Sequence, residues 1–332
     1  MESVAGVDTP APAEATEPAA IEVLRAYLAA QSTAFLAQLP RLRQGHPEAA
    51  HRIRVACRRA RSMLRTFEPL LDEEWAGALA AQLAQFTTAV GPERDVEVVR
   101  QRLLAGFDSL GDQDTGVVRA RNLVDRLLQR ESTVARESTL ATLAGPGFHA
   151  LADQIALAPA ALPGLAAARE PAQAVLFPLV SESYATIERR VRQLSQLAAA
   201  QPAPEPGNQG GPLPAEHQAD AAEDEIWHRL RIGAKRARCA AEVCVPLAGP
   251  AAAGFAEQLT RLTEALGQQQ DAAMASAVLA RAAQTPRIVA PTAFALGRLL
   301  GAQRAQIARA RWAFPGLWEQ VSQPEHRSWL DL

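Results

Sequence analysis

Apolar residues recur along this chain at intervals of three and four, the spacing of one helix face. No long β-branched run interrupts them. The pattern predicts helices over about Ile21–Gln38, Glu48–Leu70, Asp72–Val90, from Glu93 onward, and Val117–Leu143, with a short piece at Phe148–Ala156. An Ala/Pro-rich join, Ala158–Pro171, follows. Helices are then predicted over about Leu176–Ala199, Ala222–Val245, Ala251–Leu266, a segment carrying Asp271, and Thr292–Ala313. Breaks are expected at Gly91-Pro92 and at Gly267, and a polar loop over Gln201–Gln218. Alanine and leucine dominate and aromatic residues are few, which favours helix. The fold class is therefore all-α.

Two of these helices repeat one pattern. His51-Arg52-Ile53-Arg54-Val55-Ala56-Cys57-Arg58-Arg59-Ala60-Arg61-Ser62 matches His228-Arg229-Leu230-Arg231-Ile232-Gly233-Ala234-Lys235-Arg236-Ala237-Arg238-Cys239, with six of twelve positions identical. Further on, Gly91 and Asp95 match Gly267 and Asp271. The order and spacing predict an internal duplication of roughly four helices per copy. The expected division is a disordered lead-in over 1–20, a first half over 21–165 and a second over 166–332.

Turned at about 100° per residue, His51, Arg54, Arg58, Arg61 and Arg65 share one stripe. Ile53, Ala56, Cys57, Ala60, Met63, Leu64 and Phe67 lie on nearly the opposite face. His228, Arg231, Lys235 and Arg238 form the second stripe, which ends a turn earlier because Glu242 stands where Arg65 stands. Arg52, Arg59, Arg229 and Arg236 flank the stripes. Val55 and Ile232 sit between flank and stripe, and their repetition predicts a neighbouring helix on that side.

Charge sharpens this picture. The chain has 332 residues and a formal net charge of -2, so the stripes are a local concentration of positive charge. Lysine occurs once, at Lys235, and arginine supplies the other basic residues. Arginine keeps its charge and offers a planar fork to phosphate oxygens. A solvated face of ion pairs is the plain alternative, but no acidic residue falls between His51 and Phe67 or between His228 and Cys239. Like charges on one stripe repel, and a bound polyanion offsets that cost. The histidines open the stripes either as phosphate donors or as neutral structural groups. Asp95 and Asp271 read as N-terminal helix caps or as ion-pair partners of stripe arginines.

No metal-ligand spacing, Gly-rich phosphate loop or nucleophile triad stands out, so neither catalytic residues, metal nor cofactor are expected. Cys57, Cys239 and Cys244 read as reduced core residues of a cytoplasmic protein. No apolar run is long enough for a membrane span.

The His-x-x-Arg-Val/Ile-x-x-Arg/Lys-Arg-x-Arg signature, present twice with its Gly-x-x-x-Asp elements, resembles the CHAD domain, the conserved histidine α-helical domain. The resemblance runs from about Ile21 to the C-terminus. It implies two four-helix bundles related by a pseudo-two-fold, around a basic central groove or pore. It also implies non-catalytic binding of inorganic polyphosphate, in places at polyphosphate granules. The binding residues it implies are His51, Arg54, Arg58, Arg61, Arg65, His228, Arg231, Lys235 and Arg238. A secondary basic surface is expected from Arg52, Arg59, Arg126, Arg130, Arg190, Arg229, Arg236, Arg304 and Arg311. Two other functions compete: nucleic-acid binding, disfavoured because the stripes lack stacking aromatics, and a polyphosphate-processing phosphohydrolase, which needs carboxylates to hold a metal.

Overall fold

A computed structural model describes residues 17–44, 46–111, 114–200 and 214–331. The helices are α1 (Ala20–Leu36), α2 (Leu39–Arg43), α3 (Pro47–Thr66), α4 (Glu73–Ala89), α5 (Gly91–Leu110), α6 (Thr115–Ala144), α7 (Pro146–Ala161), α8 (Ala172–Ala200), α9 (Pro214–Ala248), α10 (Pro250–Ala283) and α11 (Ala290–Val321). Among the described residues there is no strand, only two isolated antiparallel bridges, Ala19 with Pro171 and Leu71 with Gly164. The chain is all-α. None of these helices is long and apolar enough to cross a membrane.

Local signals explain the helix ends. Proline stands in the first two positions of α3, α5, α7, α10 and α11, where its missing N–H has no helical partner to lose. Asp72 caps α4 by accepting from the Trp75 N–H at 2.8 Å, and Asp114 caps α6 from Gly116 at 2.7 Å. Between α9 and α10 the chain turns on Gly249, whose φ of 55° lies in the left-handed region open to glycine.

Two expectations change. The Gly267 break is not formed: α10 runs through it from Pro250 to Ala283. At Gly91 a proline follows and the helix restarts; after Gly267 come Gln268, Gln269 and Gln270, which are good helix formers. The lead-in falls mostly outside the described residues, as does most of the polar loop. Its last part is tied down, because Pro18 O accepts from the Ala172 N–H at 3.0 Å and the Glu17 side chain from the Gln173 N–H at 2.7 Å.

The buried apolar residues form two clusters, and both draw on each side of the predicted join Ala158–Pro171, whose first residues belong to α7. The larger holds the apolar face of α3 (Ile53, Met63, Leu64, Phe67) against α1, α4, α8 and α9, with Phe177, Tyr184 and Phe255 at its centre. The smaller joins Leu103 and Phe107 of α5 and Val124 of α6 to Leu279 of α10 and Leu296 of α11. The chain order 21–165 and 166–332 therefore does not divide the core, since α5 and α6 find their apolar partners in α10 and α11. Burying each large side chain stabilises the fold by about 1.5–3 kcal/mol.

Candidate functional site

The apolar face of α3 is buried as periodicity predicts, from Ile53 to Phe67, and so are Leu230, Ala234, Ala237 and Ala241 of α9. Burial of these faces orients both basic stripes. The two helices also meet each other. Arg59 of α3 pairs with Glu242 of α9 at 3.3 Å, and Arg65 and Arg61 lie close to Arg236. In the repeat, Glu242 is the counterpart of Arg65, and Arg236 of Arg59. The contacts are thus reciprocal, as across an isologous interface. Glu242 gains its sense here: an arginine there would set two cations against each other on both sides of the crossing. Glu242 also approaches Arg238 at 3.5 Å and accepts from the Tyr27 hydroxyl at 3.4 Å.

Between the stripes lies a cleft of about 220 Å³, lined by Arg58, Arg61, Arg65, Arg231, Lys235 and Arg236 with Ser62 and Ile232. Burial, with repulsion at Arg58 and Lys235, registers in proton affinity. Burial, then Arg54, Arg238 and Arg231 hold the Arg58 guanidinium below its usual range. Burial also lowers Arg231, against Asp271 and Asp95, which pull it back up. Lys235 is pushed down to about 7 by burial and by Arg231, Arg58 and Arg238, with Asp271 opposing.

The stripe residues fall into two groups. Arg54 is tethered: Nη1 donates to the Gly91 carbonyl at 2.7 Å and Nη2 to Asp95 Oδ1 at 3.2 Å. Asp95 is an ion-pair partner and not the cap of α5, whose N-terminus carries no side-chain cap. The two glycines of the repeat lie against the matching arginines, at ordinary contact distance. A Cβ on Gly91 would lie 3.4 Å from Arg54 Nη2, and one on Gly267 would lie 3.9 Å from Arg231 Nη2. Arg65 pairs with Glu68 at 3.4 Å. By contrast, Arg58, Arg61, Arg231 and Lys235 have no ion pair within 4.0 Å among the described residues. Arg231 keeps a buried Nε–H with no acceptor, whereas the Nε of Arg238 faces Glu242 at 3.5 Å.

The histidines lie apart from this cleft. His51 lines a cavity of about 250 Å³ with His46, Arg94 and Arg136, and burial followed by Arg94 lowers its pKa. His228 lines another of about 360 Å³ beside Asp224, Glu225 and Trp227. Of the secondary surface, Arg236 lines the cleft itself. Arg190 enters from α8, bonds the Arg229 carbonyl, and lines an adjoining cavity of about 510 Å³ with Arg65 and Arg236. Gly233 makes room for it, since a Cβ there would sit 3.2 Å from Arg190 Nη1. Others are engaged elsewhere: Arg229 with Glu225, Arg311 with Glu223 and Asp224, and Arg126 with the Asn122 carbonyl of its own helix. Arg52, Arg130 and Arg304 are exposed and none lines the cleft. The expected neighbour over Val55 and Ile232 is absent at Ile232, which is 43% exposed at the cleft edge. Sequence reasoning passed over Ser62, although its place on the stripe side of α3 was visible in the helical map.

Among the described residues no group of three or more His, Cys, Asp or Glu side chains is placed to hold a metal ion. Cys57, Cys239 and Cys244 are free and buried, and burial pushes the Cys57 and Cys244 thiols up to about 12.

Residues 26–280 match the CHAD domain family. Among solved structures, PptA from Streptomyces chartreusis is 32% identical, with a TM-score of 0.73, covering 91% of this chain and 99% of that one. The CHAD domain from the plant Ricinus communis is similar in fold, at 22% identity and a TM-score of 0.58, covering 95% and 97%. Curated proteins include no match.

Proposed function

This chain belongs to the CHAD domain family, and on that premise we propose that it binds inorganic polyphosphate, without turning it over, in the cleft between α3 and α9. The observation that carries the reading is the meeting of two stripes on one cleft, with Arg58, Arg61, Arg231 and Lys235 left without carboxylate partners. Cations held at close quarters destabilise one another, and a polymer of closely spaced negative charges relieves all of them together. The arginine forks of Arg58, Arg61 and Arg231 supply donors to phosphoryl oxygens. The tethered Arg54 and Arg65 add positive potential at the margins. Of the carboxylates near the stripes, Asp95, Glu68 and Glu242 are engaged by arginines, which leaves Asp271 beside Arg231 and Lys235; one carboxylate is fewer than a metal-dependent hydrolase needs to hold its ion, which favours binding over hydrolysis. In a cell, such binding would bring the protein to cytoplasmic polyphosphate granules.

Binding of this kind releases counterions and weakens steeply with salt. It also strengthens with chain length, because one polymer engages both stripes at once. Calorimetric titration with tripolyphosphate, a medium chain and a long chain tests this. Affinity is expected to rise along the series, with no phosphate released in the presence of Mg²⁺ or Mn²⁺. Equal affinity for tripolyphosphate and long polymer would refute the shared cleft. Preferential binding of DNA or RNA in competition would transfer the site to nucleic acid.

A further inference from the structure

Lys235 is the single lysine of the chain. From α3 it is faced by Arg58, with Arg61 and Arg65 lining the same cleft. Its own helix adds Arg231, Arg236 and Arg238, and α10 adds one carboxylate, Asp271. On the far flank, Arg190 of α8 lies beside Arg229 and Arg236. An amine differs from all these guanidinium groups in one respect: it gives up its proton readily and becomes a nucleophile. The structure thus sets one nucleophile among donors suited to phosphoryl oxygens, in a cleft sized for a small molecule.

We propose that Lys235 is an acylation site whose donor is a small acyl phosphate docked in the cleft. The inference rests on reading the cleft as a phosphate site. The donor's phosphate sits against Arg58, Arg61 and Arg231, which brings its carbonyl carbon to Nζ. The neutral amine attacks that carbon and a C–N bond forms. The C–O bond to phosphate breaks, and phosphate leaves with the bonding pair and takes up the proton lost by the amine. Products are an amide and hydrogen phosphate, and nothing is oxidised or reduced.

The surroundings prepare the amine. Burial, then Arg231, Arg58 and Arg238, bring Lys235 down to about 7, against the opposing pull of Asp271. Close to half of it is then neutral at pH 7, compared with fewer than about one in 10³ for an ordinary lysine. The amide is uncharged, so acylation removes a cation from the cleft and weakens its hold on polyanions.

The test treats the full chain with acetyl phosphate beside Nα-acetyl-lysine amide as internal reference, read by intact mass and peptide mapping. At pH 7, Lys235 is expected to react at least about 30-fold faster than the reference, given its larger neutral fraction. Its rate is expected to saturate with acetyl phosphate, to slow when tripolyphosphate is added, and to level off above about pH 8 while the reference keeps rising. Reaction no faster than the reference overturns the proposal. A neutral donor, p-nitrophenyl acetate, reads the amine without phosphate docking. If acetyl phosphate saturates no more than that ester does, the docking is refuted. Titration of unmodified protein with long-chain polyphosphate separates the two readings. Polymer binding with an inert Lys235 overturns this inference alone, whereas saturable acylation without polymer binding overturns the polymer reading alone.

Discussion

Replacing Lys235 with methionine is expected to stabilise the folded chain by about 2–4 kcal/mol at pH 7. Methionine keeps the unbranched stem and removes the charge. An ordinary lysine titrates near about 10.4, and Lys235 titrates at about 7. Each tenfold change in proton affinity is worth about 1.4 kcal/mol, so keeping this proton costs the folded state roughly 4–5 kcal/mol. Partial exposure and salt screening reduce that to about 2–4 kcal/mol. The sign follows from proton counting. Between about pH 7 and 10 the unfolded chain binds the lysine proton and the folded chain increasingly does not, so stability rises with pH. The penalty is therefore full below about pH 7 and fades towards pH 10. Urea unfolding of both proteins at pH 6.5, 8 and 9.5 in low salt measures the gap. It is expected to be largest at pH 6.5, to shrink at 9.5, and to narrow at pH 7 when polyphosphate is added, because a ligand of the folded state stabilises it. A variant less stable than the parent, or a gap indifferent to pH, would refute the reasoning.

Other substitutions probe the remaining contacts. Arg54→Ala removes the Gly91 and Asp95 bonds and is expected to cost about 1–3 kcal/mol in urea unfolding, with less loss of polyphosphate affinity than Arg58→Glu. Glu242→Arg leaves Arg59 without its carboxylate; it is expected to destabilise by about 2–4 kcal/mol, while calorimetry shows tighter polyphosphate binding from the lengthened stripe. Gly116→Ala drives a Cβ to 2.6 Å from the Pro291 carbonyl oxygen, where α6 meets α11. It is expected to lower stability by about 1–3 kcal/mol, with hydrogen exchange rising first around Phe107 and Leu296.

The helix faces were legible because burial follows a period that residue type alone displays. Ile53, Met63 and Phe67 fell where the map put them, and so did the open cations Arg58 and Arg231. Partners across helices were not legible. Arg236 looked like a flank residue because its place depends on which side α3 approaches, and periodicity carries no such information. The histidines looked like the first members of each stripe, yet each lines a separate cavity away from the point where α3 and α9 meet. Glu242 read as a missing cation, and only its contact with Arg59 shows it as a counter-charge at the crossing. Likewise the apolar faces of α5 and α6 were visible, but not that α10 and α11 cover them.

The most direct measurement is a crystal structure of the chain with a polyphosphate of medium length. The account predicts phosphate density running between Arg58 and Arg61 of α3 and Arg231 and Lys235 of α9. Density confined to the outer arginines of α6 and α11, with the cleft filled only by water, would contradict it.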